Sequence, residues 1–123
     1  MSITIDPSQL PALVRITVIR SFPSPNEQLA FRRELESTVG FTSATAALID
    51  LTRMTDVPSF SAIQSRGDDW LLRRAYLVDL GTIGYGVARQ ARTLAKPPTL
   101  IGVFHDEAKA VAWLLSGATS QDE

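Results

Sequence analysis

The sequence predicts an α/β domain with a mostly parallel sheet of about five strands and about four helices. Three observations predict this class. Four apolar, strand-like runs lie between residues 13 and 104, and each is followed by a segment with helical periodicity. Proline or glycine stands at most of the junctions. The 123 residues contain no linker and no internal repeat, so we expect one domain over 1–123.

The N-terminal region predicts two strands. Residues 3–5 form a short one, which Asp6-Pro7-Ser8 ends. Residues 13–22 alternate, with Val14, Ile16 and Val18 on one side and Arg15 and Thr17 on the other. Period two with β-branched residues is typical of a strand near a sheet edge, where one face is less buried.

The first helix has a sequence signal at each end. Ser24 is the predicted cap, Pro25 suits the first helical position, and Glu27 completes a capping box. We expect Phe31, Leu35 and Val39 to face inward and Gly40 to end the helix.

The remaining elements alternate. Strands are predicted over residues 46–51, 75–80 and 99–104, the first of them buried on both faces. A helix opens at Pro58-Ser59, with an inward face of Phe60, Ile63, Gly67, Trp70 and Leu71. Another helix follows Gly81 and Gly84 and ends before Pro97-Pro98, and its inner residues are Val87, Ala88, Ala91, Leu94 and Ala95. The last helix covers residues 106–115 and is expected to bury Ala108, Val111, Ala112 and Leu115.

Composition excludes several function classes. The net charge of −1 gives no basic field for nucleic acid. The chain has no cysteine, which excludes disulfides, thiol catalysis and thiolate metal sites. The N-terminus lacks the pattern of a signal peptide, and no apolar run is long enough to span a membrane. We therefore expect a cytoplasmic protein without a membrane span.

Three stretches resemble one known family in their order and spacing. They are Ala47-Leu48-Ile49-Asp50-Leu51, then Gly84-Tyr85-Gly86-Val87-Ala88-Arg89, then Val103-Phe104-His105-Asp106-Glu107-Ala108 with Ala112-Trp113-Leu114. Together they resemble the STAS-type, SpoIIAA-like family, in the branch grouped with CRAL-TRIO-like lipid-binding folds. The resemblance covers essentially the whole chain. It implies an initial hairpin, parallel strands and flanking helices in a non-enzymatic module.

The resemblance also points to a phosphorylated serine. Anti-sigma-factor antagonists of this family carry Asp-Ser-Ser-Gly at the start of the helix after the second parallel strand, and the first serine is the phospho-acceptor. Here that stretch reads Val57-Pro58-Ser59-Phe60, so Ser59 alone matches. A phosphate suits a helix N-terminus. Ser59 also fits a plain N-cap, and both interpretations stay open.

The segment from Gly84 to Arg89 invites comparison with the dinucleotide fingerprint. Arg89 replaces the third glycine, and the motif lies in the third crossover and not the first. We therefore predict no cofactor. If a ligand binds, we expect it over this helix start, at Gly84, Tyr85, Gly86 and Arg89. The alternative is that the glycines only shape a turn.

Asp50, Asp79 and His105 are predicted at the carboxyl ends of parallel strands, where open α/β sheets bind ligands. An imidazole and two carboxylates can serve acid–base chemistry. One histidine is too few for a typical zinc site, so no metal is predicted. Such residues also cap the helices that follow strands.

Five arginines can form a basic patch for an anionic headgroup or an acidic partner: Arg66, Arg73, Arg74, Arg89 and Arg92. The alternative is a solvated face paired with Asp68, Asp69 and Asp79. We expect Trp70 and Trp113 to be anchors in the core or at its rim, and a role as ligand contacts is the second interpretation.

Two functions therefore stay open. The first is a non-catalytic regulatory or binding module that docks a protein partner or an apolar, lipid-like ligand. The alternative is a small cytoplasmic enzyme that uses Asp50, Asp79 and His105. We also expect a two-fold homodimer through residues 13–22, because an edge strand must be covered or paired.

Overall fold

The computed structural model describes residues 3–21, 24–42, 44–56, 72–94 and 100–116. These ranges hold five strands and three helices. In chain order the elements are β1 (Ile3–Asp6), β2 (Leu13–Arg20), α1 (Pro25–Glu36), β3 (Ala46–Met54), β4 (Arg74–Leu77), α2 (Ile83–Leu94), β5 (Ile101–Phe104) and α3 (Glu107–Ser116). The helix expected to open at Pro58-Ser59 lies outside the described residues.

The five strands form one mixed sheet in the order β1-β2-β3-β4-β5. β1 pairs antiparallel with β2, and the other three pairings are parallel. The α/β class is confirmed. The expectation of a mostly parallel sheet has to be qualified, because the N-terminal hairpin adds an antiparallel pair. β2 lies between β1 and β3, so it is the second strand from the edge of the sheet. The expectation that β2 lies near an edge is met, although β1 is the edge strand.

An apolar layer packs on each face of this sheet, and the layer on the second face is the smaller one. The first face carries α1 and α2, and its buried side chains include Ile16, Phe31, Leu35, Ile49, Tyr76, Val87 and Val103. The second face carries α3, and its buried side chains include Leu13, Leu48, Leu77, Phe104, Trp113 and Leu114. Every residue of β4 and β5 is buried, as expected for parallel strands with a layer on each face.

The start of α1 is as predicted, but its end is not. Ser24 Oγ accepts from the Glu27 amide (3.3 Å), and Glu27 Oε1 accepts from the Ser24 amide (3.0 Å), which completes the capping box. The helix ends at Glu36, and Val39 is 95% exposed instead of inward. The Ser37 and Thr38 hydroxyls both donate to the Glu34 carbonyl oxygen, and such side-chain bonds compete with further helical turns.

The buried side of α3 differs from the predicted one. Ala110, Trp113 and Leu114 are buried, whereas Ala108 and Ala112 are exposed and Leu115 is 60% exposed. Both sets have helical spacing, so periodicity alone cannot choose between them. The Trp113 ring packs on Phe104 with 5.6 Å between centroids. A Cβ at Gly102 would meet the Phe104 ring at 2.6 Å, so the glycine provides the room for these rings.

Candidate functional site

The turn between β4 and α2 lies at the carboxyl ends of the parallel strands. The Val78 amide still donates to the Phe104 carbonyl oxygen (2.9 Å), and the chain turns after it. Gly81 has a φ of +77°, which glycine adopts without strain. The Thr82 hydroxyl donates to the Asp79 carbonyl oxygen (2.6 Å) and accepts from the Tyr85 amide (3.4 Å). Thr82 therefore stabilises the turn and also caps α2.

Gly84 holds the first turn of α2 close to β3. A Cβ at this position would lie 2.8 Å from the Leu51 carbonyl oxygen and 3.2 Å from the Leu51 Cβ. Only glycine therefore allows this approach between helix and strand. Gly86 is different, because it is exposed and a Cβ there would meet nothing within 4 Å.

Tyr85 and Arg89 form a pair on the next turn of α2. Tyr85 is half-buried against the first-face layer, and its hydroxyl accepts from Arg89 Nη1 (2.8 Å). The guanidinium carbon lies 5.6 Å from the ring centroid, within cation–π range. The structure thus brings together all four residues predicted for a ligand site, and places only Gly84 in the interior. Their ligand-binding role stays a prediction.

Two large apolar side chains are exposed on the same turn. Leu80 is 57% exposed and Ile83 is 36% exposed. The backbone that carries them is fixed by the Thr82 bonds and by the close approach of Gly84 to Leu51. We call residues 79–86 with Arg89 the β4–α2 rim. Chemically, this rim offers apolar contact area on a rigid support.

Asp50 belongs to a different group, on the second face of the sheet. Its Oδ2 accepts from Arg15 Nη2 (3.1 Å), and its Oδ1 accepts from the Thr52 amide (2.8 Å) and hydroxyl (2.6 Å). Arg15 Nη1 also contacts Glu107 Oε1 at 2.8 Å. The hydrogen bond to Glu107 is the main reason that the pKa of Arg15 is raised. This arrangement joins β2, β3 and the first turn of α3.

Asp79 and His105 are not part of the group that Asp50 forms with Arg15 and Thr52. Both are exposed, whereas Asp50 is buried and bonded to Arg15 and Thr52. Within the described ranges, no group of three or more acidic or histidine side chains can hold a metal ion. Asp106 accepts from the Lys109 amide (3.2 Å), so it caps α3.

The five arginines do not form one patch. Arg73 and Arg74 are consecutive at the start of β4 and so face opposite sides of the sheet. The Arg73 guanidinium stacks 3.8 Å from the Trp113 ring centroid and donates to the Trp113 carbonyl oxygen (3.0 Å). Burial lowers the pKa of Arg73. Arg74 is fully buried among the strands. The expectation of a shared surface was wrong, because strand alternation separates these two side chains.

Three expected site residues lie outside the described ranges: Ser59, Arg66 and Trp70. Trp113 is in the core, as predicted. Sequence reasoning missed the contact between Arg15 and Glu107, which are far apart in the chain. It also treated Leu80 as a strand residue. A sequence signal for a turn at Leu80 was present, because Gly81 follows it directly at the point where the strand pattern ends.

Comparison of the chain with models of known protein families, with curated proteins and with solved structures found no match. Among the helices in the described part of the chain, none has the length and apolarity needed to cross a membrane.

Proposed function

We propose that this protein is a non-catalytic binding module of the STAS-type, SpoIIAA-like kind, which docks a protein partner through the β4–α2 rim. The observation that carries the proposal is the exposure of Leu80 and Ile83 on a turn whose backbone is fixed. An apolar side chain on a rigid support loses little conformational entropy on binding, so its burial contributes more fully to affinity.

The surroundings of the rim favour a protein partner. Tyr85 and Arg89 lie on the next turn of α2, and tyrosine and arginine are enriched at protein interfaces. A partner segment with one or two apolar side chains for Leu80 and Ile83, and a polar group for the Arg89 edge, matches this surface. We infer a transient interface of modest size, since the exposed apolar residues are few.

The arrangement of the sheet supports the STAS-type part of this proposal. The sequence resemblance implies an initial hairpin, parallel strands and flanking helices, and the sheet has an antiparallel N-terminal pair followed by parallel strands. The bonds of Asp50 to Arg15 and Thr52 support a structural role for that carboxylate and not a catalytic one. A cytoplasmic location is part of the same proposal, in line with a cysteine-free chain.

The test uses two matched variants. Leu80→Asp places a charge in the centre of the rim, and Leu29→Asp does the same on α1, where Leu29 is 48% exposed. Each tagged variant is expressed in its native cells, and the proteins that copurify are compared with those of the wild type. We expect Leu80→Asp to lose a partner that both Leu29→Asp and the wild type retain. Thermal unfolding should stay nearly unchanged in both variants.

A lipid surface and an apolar small molecule, the other candidate ligands of the rim, are tested with the same two variants. Sedimentation with vesicles of anionic phospholipid tests a lipid surface, and native mass spectrometry tests an apolar small molecule. Vesicle binding, or a retained small molecule, that depends on Leu80 would replace the protein partner in this proposal. A partner retained equally by both variants would show that the rim is not the docking surface.

A further inference from the structure

Within the residues that the structure describes, the second face of the sheet is covered only in part. α3 lies over β3, β4 and β5, where its side chains are buried. Over β1, the part of β2 after Leu13 and the end of β3, the same face carries exposed or half-buried side chains. They are Thr4, Asp6, Arg15, Thr17, Ile19, Thr52 and Arg53. A sheet in an α/β domain normally has both faces covered, so this open half-face stands out.

Charges of opposite sign lie at opposite corners of the open half-face. Asp6 on β1 pairs with Arg15 near the start of β2, whereas Arg53 on β3 pairs with Ile19 near its end. Strand spacing and rise put the two Cα atoms about 16 Å apart, with Thr17 between them. At that distance they are largely screened from each other in physiological salt. Neither side chain forms an ion pair within the ranges that the structure describes.

The acidic corner carries more than Asp6. Glu107 contacts Arg15 from the first turn of α3, and Asp50 contacts the same guanidinium. Two carboxylates thus pair with Arg15, and Asp6 lies opposite it on β1, so three negative charges and one positive charge leave this corner negative. The guanidinium of Arg53, at the other corner, has no ion-pair partner among the described residues. The half-face is therefore dipolar along its diagonal.

We propose that a second copy of this chain covers the open half-face in a two-fold dimer, with Asp6 of each copy against Arg53 of the other. An in-plane two-fold axis over Thr17, perpendicular to the diagonal, exchanges the two corners. The sheets then stack face to face with their strands crossing steeply, as in orthogonal packing. Thr4, Thr17 and Ile19 form the middle of the interface, and two symmetry-related ion pairs flank it.

Size and position set the strength of this dimer. Three strands and about four residues along each give a contact of only a few hundred Å² per copy, smaller than the about 800 Å² per partner of a standard stable interface. The dimer is therefore weak and sensitive to salt. The dimer predicted from the sequence used residues 13–22 as an edge strand. The interface proposed here is different, because β2 is paired with β1 on one side and β3 on the other. It is also independent of the β4–α2 rim.

Sedimentation velocity at micromolar to millimolar protein concentration tests the proposal. We expect a monomer–dimer equilibrium that weakens as salt rises from about 0.02 to about 0.5 M, which shortens the Debye length from about 20 Å to about 4 Å. Arg53→Glu should weaken dimerisation by about tenfold or more, because like charges then face each other in both ion pairs. Asp6→Asn, which keeps the oxygen that accepts from the Ser8 amide, should weaken it less.

A charge swap gives the sharpest outcome. The double variant Asp6→Arg with Arg53→Glu restores opposite charges across the interface, and we expect it to recover dimerisation to within about threefold of the wild type. Arg33→Glu, on the exposed side of α1, is the control and should change nothing. Circular dichroism confirms folding of each variant. A monomer at every concentration, or a dimer that persists in Arg53→Glu and Asp6→Asn, would overturn the proposal.

Discussion

Gly84 and Gly86 stand two residues apart on α2 and meet different surroundings. The added Cβ at Gly84 would collide with the Leu51 backbone, whereas the one at Gly86 would enter open space. We predict that Gly84→Ala lowers the free energy of unfolding by about 1–3 kcal/mol, the usual cost of overpacking. Gly86→Ala should instead be neutral or stabilising by up to about 1 kcal/mol, because alanine favours a helix.

Urea denaturation of the two variants checks this contrast. Equal losses of stability would mean that α2 does not approach Leu51 closely at Gly84. A large loss for Gly86→Ala would contradict the open space around this position. The sequence could predict that glycines stand at this helix start. It could not rank them, because the Leu51 carbonyl that makes the difference belongs to another strand.

At the scale of one element, α1 depends on its N-cap residue, Ser24. The Ser24 hydroxyl accepts from the Glu27 amide, which has no partner within the helix itself. We predict that Ser24→Ala destabilises the protein by about 1 kcal/mol. Differential scanning calorimetry measures the effect, with Ser24→Asp as the control that retains a capping oxygen. Unchanged unfolding of Ser24→Ala would contradict the cap.

The carboxylate of the same capping box gives stability a pH dependence. Hydrogen bonds from Ser24 lower the pKa of Glu27 below its ordinary value of 4.5. The charged form is thus favoured in the folded state, so its contribution is complete above pH 4.5 and is lost as the pH falls through the lower folded pKa. Glutamine retains the accepting oxygen but not this titration. We predict that the stability difference between wild type and Glu27→Gln changes across that acidic range, and a constant difference would contradict it.

The orientation of α3 rests on Trp113. This ring is 4% exposed and contacts both Phe104 and Arg73, whereas Leu115 is 60% exposed. We predict that Trp113→Ala costs about 3–5 kcal/mol and that Leu115→Ala costs less than about 0.5 kcal/mol. Chemical denaturation of both variants measures the contrast. The reverse order would favour the inward face that periodicity alone predicts.

At the scale of the whole molecule, local signals account for the alternation of strands and helices, and tertiary contacts account for the rest. The capping box at Ser24 and the apolar runs of β3, β4 and β5 are readable in the sequence because neighbouring residues produce them. The inward side of α3 depends on Gly102 and Phe104, and the role of Asp50 depends on Arg15 from another strand. Spacing along the chain contains no information about such partners.

The candidate site follows the same division. A helix start at Gly84 to Arg89 is visible as a motif, so the four residues of the predicted ligand site lie together. The exposure of Leu80 and Ile83 is a property of the folded turn, because β4 ends at Leu77 and Leu80 lies in the turn that follows. Apolar residues at the end of a strand pattern otherwise read as buried.

Site-specific photo-crosslinking in native cells tests the docking role of the β4–α2 rim most directly. A benzophenone amino acid is placed in turn at Leu80, Ile83 and, as the control on α1, Leu29, all of which are partly exposed. We predict that positions 80 and 83 capture the same protein and that position 29 does not. Capture of that protein from position 29 alone, or no captured protein at positions 80 and 83 in folded variants, would contradict the account.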